Sequence, residues 1–250
     1  MLLLSPFQRP AMLRSLLALL AIFLVCHVHA NERVILPNIT PYAFENGGVA
    51  KGVEVDVVAA IARHMGKPIT VQVMPLARVL ATIDSEPGTI TFFGRTPERE
   101  ARVVWLASVC DEPFQFITRR RSGLNIDGVE SAKRVVVGVT RSSIGDSLAK
   151  VNHLPRVDRV EDDVVNARKL MADRIDTWLG GQYSSRSIAH QLGIADDELH
   201  YGYVLKTYQI WMVGSRDLDA GTQKAWQSAF EAIRQSGELA RILQNYGMTR

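Results

Sequence analysis

Cysteine is nearly absent from this chain. Cys26 and Cys110, in 250 positions, are too few to staple a small secreted fold or to build a thiolate metal centre. An excess of one charge is missing as well: 29 Lys and Arg stand against 26 Asp and Glu, which excludes a polybasic nucleic-acid binder. There is no low-complexity segment and no internal repeat of roughly 20–50 residues, so solenoids and propellers are set aside. A Gly-rich phosphate loop, a Gly-x-Ser-x-Gly elbow and a Cys/His dyad are also absent, and catalysis has no support in the sequence. What is present is 47% hydrophobic content, enough to fill the core of one large domain or two modest ones and too much for disorder.

The first thirty residues differ in kind from the rest. Arg9 and Arg14 form a basic front, and Ser15 to Val25 is an almost unbroken apolar run that closes on Val28, His29 and Ala30. Small or compact residues at the minus-three and minus-one positions make this an export signal cleaved after Ala30. The run is well short of the ~20 apolar residues that span a bilayer. Phe23 and Val25 fit poorly with a lipoprotein site at Cys26. Residues 1–30 hold two of the 29 basic residues and no acid. The exported remainder is therefore close to neutral, and Cys110 has no intramolecular partner. His64, His153, His190 and His200 are scattered without ligand spacing, so no metal is expected.

Along the remainder, strands and helices take turns, the pattern of an α/β protein with mostly parallel sheets. Val34 to Leu36 reads as a strand ended by Pro37. Glu54 to Met65 reads as a helix, with Val57, Val58, Ile61 and Met65 on one face and Gly66 and Pro68 at its stop. Strands are predicted at 69–73, 89–93 and 114–118, and a short helix at 77–83. A further helix would be opened by Thr96 as N-cap and Pro97 as first residue. The pattern restarts at Val135 to Val139, with helices near 146–151, 162–173 and 184–192 and strands at 175–179, 201–204 and 209–213. A long helical region, 222–246, buries Trp226, Phe230, Ile233, Leu239, Ile242 and Leu243 and breaks at Gly237.

Four ordered motifs carry a resemblance. Thr40-Pro-Tyr-Ala-Phe44 with Gly47-Gly48, Gly52-Val-Glu-Val-Asp-Val57, Arg95-Thr-Pro-Glu-Arg99 and Gly237-Glu-Leu-Ala-Arg-Ile-Leu243 together resemble the family 3 extracellular solute-binding proteins, the substrate-binding partners of polar amino acid ABC transporters. The resemblance implies a two-lobed periplasmic binding protein fold of type II, two α/β lobes joined by two crossover strands. Lobe one would comprise residues 31–110 and 215–250, and lobe two residues 111–214. A small ligand would sit in the cleft, near strand ends and helix N-termini that offer backbone N–H groups.

The resemblance also implies a site. Arg99, of the Thr-x-x-Arg motif Thr96 to Arg99, would fork onto the ligand's carboxylate, although a surface pair with Glu98 or Glu100 would account for it equally plainly. Gly94 stands where relatives contact the ligand, with only its main chain to do so. Tyr42 and Phe44 would wall the pocket, or serve as ordinary core and lip aromatics. Leu76 takes the place of an aromatic that stacks on the ligand in many relatives. Ser142 and Ser143 match a loop whose hydroxyl and amides close over the carboxylate, though plain helix capping explains them as well. Arg141 is either a second cation for an acidic ligand or a solvated side chain.

One departure concerns charge. Relatives specific for α-amino acids carry an Asp where Gly181 stands here. An ammonium shut in a cleft without a counter-charge costs several kcal/mol. Either another acid supplies the pair or the ligand lacks an ammonium, in which case Gln182 would hydrogen-bond a neutral group.

The expectation is thus a periplasmic, monomeric binding protein without cofactor or metal. It would capture a small anionic, carboxylate-bearing solute, an amino acid or related acid, and offer its closed form to an ABC permease or membrane sensor. A sensory module without transport is the alternative. So is a dehydratase-like cleft enzyme, which would need a carboxylate or His opposite Arg99, and none stands out in the sequence.

Overall fold

The computed structural model describes residues 33–248, so the expected export signal lies outside the described residues. The chain opens with β1 (Arg33–Pro37), a hairpin of β2 (Phe44–Asn46) and β3 (Val49–Lys51), and helix α1 (Val53–Met65). Gly52 makes that junction. Its φ of 124° lies where L side chains rarely go, and a Cβ there would stand 2.4 Å from the Tyr42 carbonyl oxygen. The approach lets the carbonyls of Pro41 and Tyr42 accept the first helical N–H groups, from Val53 at 3.0 Å and Glu54 at 2.8 Å. Those donors would otherwise lack partners.

β4 (Val71–Met74), α2 (Leu76–Ser85) and β5 (Thr89–Gly94) follow. β1 lies between β4 and β5, parallel to both, with Val34 opposite Val71 and Ile90. All six residues of β5 are buried, as expected for a strand covered on both faces. The expected helix after Thr96 is one 3₁₀ turn, Pro97–Arg99, and Thr96 makes no side-chain cap. Its N–H bonds, from Arg99 to Thr96 at 3.0 Å and from Arg102 to Arg99 at 3.0 Å, lead straight into the next strand.

That strand, β6 (Val103–Arg119), is 17 residues long, where only 114–118 is predicted. β10 (Leu199–Ser215) is equally long, and it joins the two shorter predicted strands into one. The two pair antiparallel over their lengths, with register shifts between Tyr201 and Lys206 and again near Ile210 and Met212. Between them in sequence come α3 (Val129–Ala132), β7 (Val137–Thr140), α4 (Ile144–Val151), β8 (Val157–Val160), α5 (Asp163–Met171), β9 (Thr177–Gly181) and α6 (Gln182–Gln191). The strand β8 and the β2–β3 hairpin are absent from the sequence reading.

The eight-stranded sheet runs β4-β1-β5-β10-β6-β9-β7-β8. It has one parallel set at each end, and β10 and β6 cross between them. This is the expected two-lobed α/β architecture with two crossover strands. The chain closes with α7 (Ala220–Gln235) and α8 (Glu238–Asn245), separated by Gly237 in the left-handed region at φ 76°, as the helix break predicts. Their apolar faces return to the first lobe. Trp226, Phe230, Ile233, Leu239 and Leu243 share a core with Val57, Ile61, Ile90 and Phe92. Separate cores under β7 and β9 hold Phe116, Val139 and Leu148 on one side and Trp178, Leu170 and Ile188 on the other.

Trp226 is fully buried at the join between α7 and the first lobe. Trp226→Ala therefore costs about 3–5 kcal/mol, read as a lowered midpoint in denaturant unfolding followed by far-UV circular dichroism.

Candidate functional site

A cavity opens where the carboxyl ends of β1 and β5 face the N-termini of α4 and α6. Its space, the open mouth included, is about 660 Å³. Its apolar walls include Ile39, Leu76, Phe93, Phe114, Ile144, Leu179 and Ile210.

Arg99 ends the 3₁₀ turn after β5 and is 9% exposed. Its guanidinium donates to the carbonyls of Gly94 at 3.1 Å and Ser142 at 3.5 Å, and its carbon lies 5.0 Å from the Phe93 ring centroid. Among the described residues it forms no ion pair, because Glu100, one of the acids that would have held it at the surface, is bound by Arg95 at 2.5 Å. Burial first, and then the charge of Arg102, lower its pKa to about 10. It remains a cation at neutral pH, held by two carbonyls over an aromatic face.

Gly94 and Ile144 show how closely the two halves meet. A Cβ on Gly94 would lie 2.2 Å from Ile144 Cδ1, so the absent side chain is what admits Ile144 to the cleft. Thr40 and Ser187 face each other across the same divide, with hydroxyls 3.2 Å apart. Ser143 lines the cavity and also caps α4, its Oγ accepting from the Asp146 N–H at 3.2 Å. Ser142, at φ 58°, contributes its carbonyl to Arg99.

Three carboxylic acids face the same cavity, and sequence reasoning assigned none of them to it: Glu54 and Glu112, both buried, and Asp163, half-buried. Glu54 stands in the first turn of α1, placed there by the Gly52 junction, and its Oε2 has no hydrogen-bond partner. In the sequence it passes for an ordinary helix-front acid. Glu112 lies midway along β6, where strand alternation turns Asp111 outward and Glu112 inward. It accepts from the Tyr42 hydroxyl and from the N–H groups of Gln182 and Tyr183, the latter at 2.9 Å. Asp163 Oδ1 accepts from Thr140 at 2.6 Å, Trp178 at 3.0 Å and Asn166 at 3.1 Å. Burial is the leading cause that raises all three above the ordinary carboxylate range. The charge of Asp163 adds to the effect at Glu112, and the two N–H groups of α6 oppose it.

A cleft with one unpaired guanidinium, helix N-termini and buried carboxyls can grip a small polar solute at two ends. The sequence matches the model of bacterial extracellular solute-binding proteins, family 3, over residues 34–249. The chain belongs to that family. Solved structures share the fold of this solute-binding protein. A mutant of ArgBP from T. maritima superposes with a TM-score of 0.76 at 18% identity, covering 85% of this chain and 93% of that one. A histidine kinase sensor domain with similarity to periplasmic binding proteins gives 0.78 at 16%, covering 86% and 95%. ArtJ from Geobacillus stearothermophilus, an arginine-, lysine-, histidine-binding protein, gives 0.74 at 14%, covering 86% and 94%. No curated protein matches the sequence. The architecture is that of the type II periplasmic binding proteins.

In this solute-binding protein Arg99, Gly94, Tyr42, Leu76 and Ser143 come together at the cavity. Four expected contacts do not, the first being Ser142, which meets Arg99 through its carbonyl at 3.5 Å without lining the cavity. Phe44 lies on β2 opposite Lys51, on the hairpin rather than on the cavity wall. Arg141 is drawn to the Glu161 carboxylate at 3.0 Å and the Arg159 carbonyl at 3.3 Å. Gln182 begins α6 and meets Glu112 through its N–H. Glu54 and Glu112, which do not stand out in the sequence, line the same cavity as Arg99.

Glu54 holds its proton more tightly in the folded than in the unfolded chain. Its contribution to stability is therefore full below the ordinary glutamate pKa and is lost as pH rises through the folded value. Glu54→Gln keeps the shape and removes the charge. Thermal melts between about pH 5 and pH 8 should fall less steeply for the variant, with its Tm gaining roughly 2–4 °C for each kcal/mol recovered.

Proposed function

We propose that this protein captures a small carboxylate-bearing solute, an amino acid or related acid, in the cleft between its lobes and presents the closed form to an ABC permease. The observation that carries the reading is Arg99, a buried guanidinium at the cavity with carbonyl partners and no acid of its own. Its planar fork matches a carboxylate, and burial makes each such bond worth more than at a surface. Gly94 holds the guanidinium through its carbonyl at 3.1 Å and lines the cavity itself. The hydroxyl and N–H groups at the start of α4 supply further donors from the opposite lobe, with Ser143 foremost. Leu76 and Tyr42 provide apolar and polar wall.

In this reading lobe one is residues 31–110 and 215–250, lobe two is residues 111–214, and the hinge lies in β6 and β10. The ligand touches both lobes only when they are together, so those added contacts are what favour closure. Export follows from the segment before Ala30, and the protein acts outside the cytoplasm as a monomer. The arginine-, lysine- and histidine-binding descriptions of its structural neighbours support an amino-bearing acid among the candidates. The likeness to a histidine kinase sensor domain supports a second reading, in which the closed form is read by a membrane sensor and nothing is transported.

Isothermal titration with the twenty L-amino acids, 4-aminobutyrate and C3 to C6 dicarboxylates tests the site. Arg99→Ala should weaken every ligand that binds by about 2–5 kcal/mol, and Arg99→Lys should recover only part of it. Affinity unchanged in Arg99→Ala overturns the assignment.

A further inference from the structure

Gly181 is the N-cap of α6 and offers no side chain to the helix. The cap comes instead from another element. Glu112, on the crossover strand β6, accepts the N–H groups of Gln182 and Tyr183. A Cβ built on Gly181 would lie 2.5 Å from Glu112 Oε1 and 2.8 Å from its Cδ. One carboxylate thus fills the space that a side chain at position 181 would take, and it does so from a hinge strand rather than from the lobe itself. Its other oxygen accepts from Tyr42, on the opposite side of the cleft. Glu112 is therefore bonded to both halves while it borders the cavity.

Not every polar group at the cavity has a partner among the described residues. Asp163 has three neutral donors on one oxygen. Glu54 Oε2 is fully buried and has no partner, and Glu112 has only neutral donors. Against them stands Arg99, which among the described residues makes no ion pair with any of the three. A simple anion would satisfy Arg99 and bring no donor to Glu54 Oε2 or to Glu112.

We propose that Glu112 is the specificity-determining residue for a cationic group of the ligand, taking its protonated amine while Arg99 takes its carboxylate, with Glu54 as a second acid on the same cavity. The ligand class is an amino-bearing carboxylic acid, zwitterionic or cationic, and not a simple anion. This deepens the preceding reading and rests on it for the carboxylate end. Because Glu112 joins both halves, an amine bound to it also supports the closed arrangement of Tyr42 and α6, so closure selects for ligand charge.

The test pairs compounds that differ only at the amine: each L-amino acid against the α-hydroxy acid of the same skeleton, and 4-aminobutyrate against 4-hydroxybutyrate. In the unaltered protein at least one amine should bind roughly 30-fold or more tighter than its hydroxy partner. Glu112→Gln should bring that pair within about threefold, chiefly by weakening the amine. A helix cap alone would move both members of the pair together. The double variant Glu112→Ala with Gly181→Asp moves the carboxylate across the gap and should restore both the melt and the discrimination, and it keeps the test decisive where Glu112→Gln does not fold. Hydroxy acids binding as well as amines in the unaltered protein, discrimination surviving in Glu112→Gln, or a double variant that folds without discriminating would each overturn the proposal. If no compound of either set binds, the carboxylate reading fails and this one fails with it. If hydroxy acids bind through Arg99 without preference, only the role of Glu112 is lost.

Discussion

The antiparallel pairing of β6 with β10 is the constraint on which the site depends. Two 17-residue strands hydrogen-bonded along their lengths tie both lobes into one sheet. They also bring together residues that lie far apart in the chain. Through β10 the pair holds β5, and so Gly94 and the turn that bears Arg99. Through β6 it holds β9, whose end at Gly181 faces Phe114. Glu112 lies on the pair itself, between these two supports.

The electrostatics of the cleft follow from that geometry. Three carboxyls and a guanidinium share one cavity. Asp163 is satisfied by Thr140, Asn166 and Trp178. Glu54 is not, and Arg99 has carbonyls where a carboxylate would bind better. Groups left short of partners in a protein interior are costly. A ligand that supplies the missing partners offsets that cost.

Membership of family 3 and the type II fold place this chain among binding proteins. Within that frame, the acid at the start of α6 comes from a neighbouring strand. A carboxylate on β6 caps α6 in place of the N-cap residue, and glycine at 181 is what makes room for it. Each of the two residues explains the other.

Local patterning was enough to read most elements. Apolar spacing and stop signals mark α1, Gly237 marks the break between α7 and α8, and the restart near Val135 marks the second series. These are short-range effects of side-chain period and backbone freedom, and they need no knowledge of the rest of the molecule. The residues Arg99, Gly94, Tyr42, Leu76 and Ser143 were legible because they stand in recognisable motifs. The length of β6 and β10 was not legible, since strands covered unevenly from both sides lose the simple alternation that betrays a strand. Glu54 and Glu112 were not legible as cleft residues either. In sequence one is a common helix-front acid and the other a charge beside Pro113. Only the junction at Gly52 and the pleat of the crossover strand turn their carboxyls inward, and burial between two lobes is a property of the assembled chain that no single segment carries.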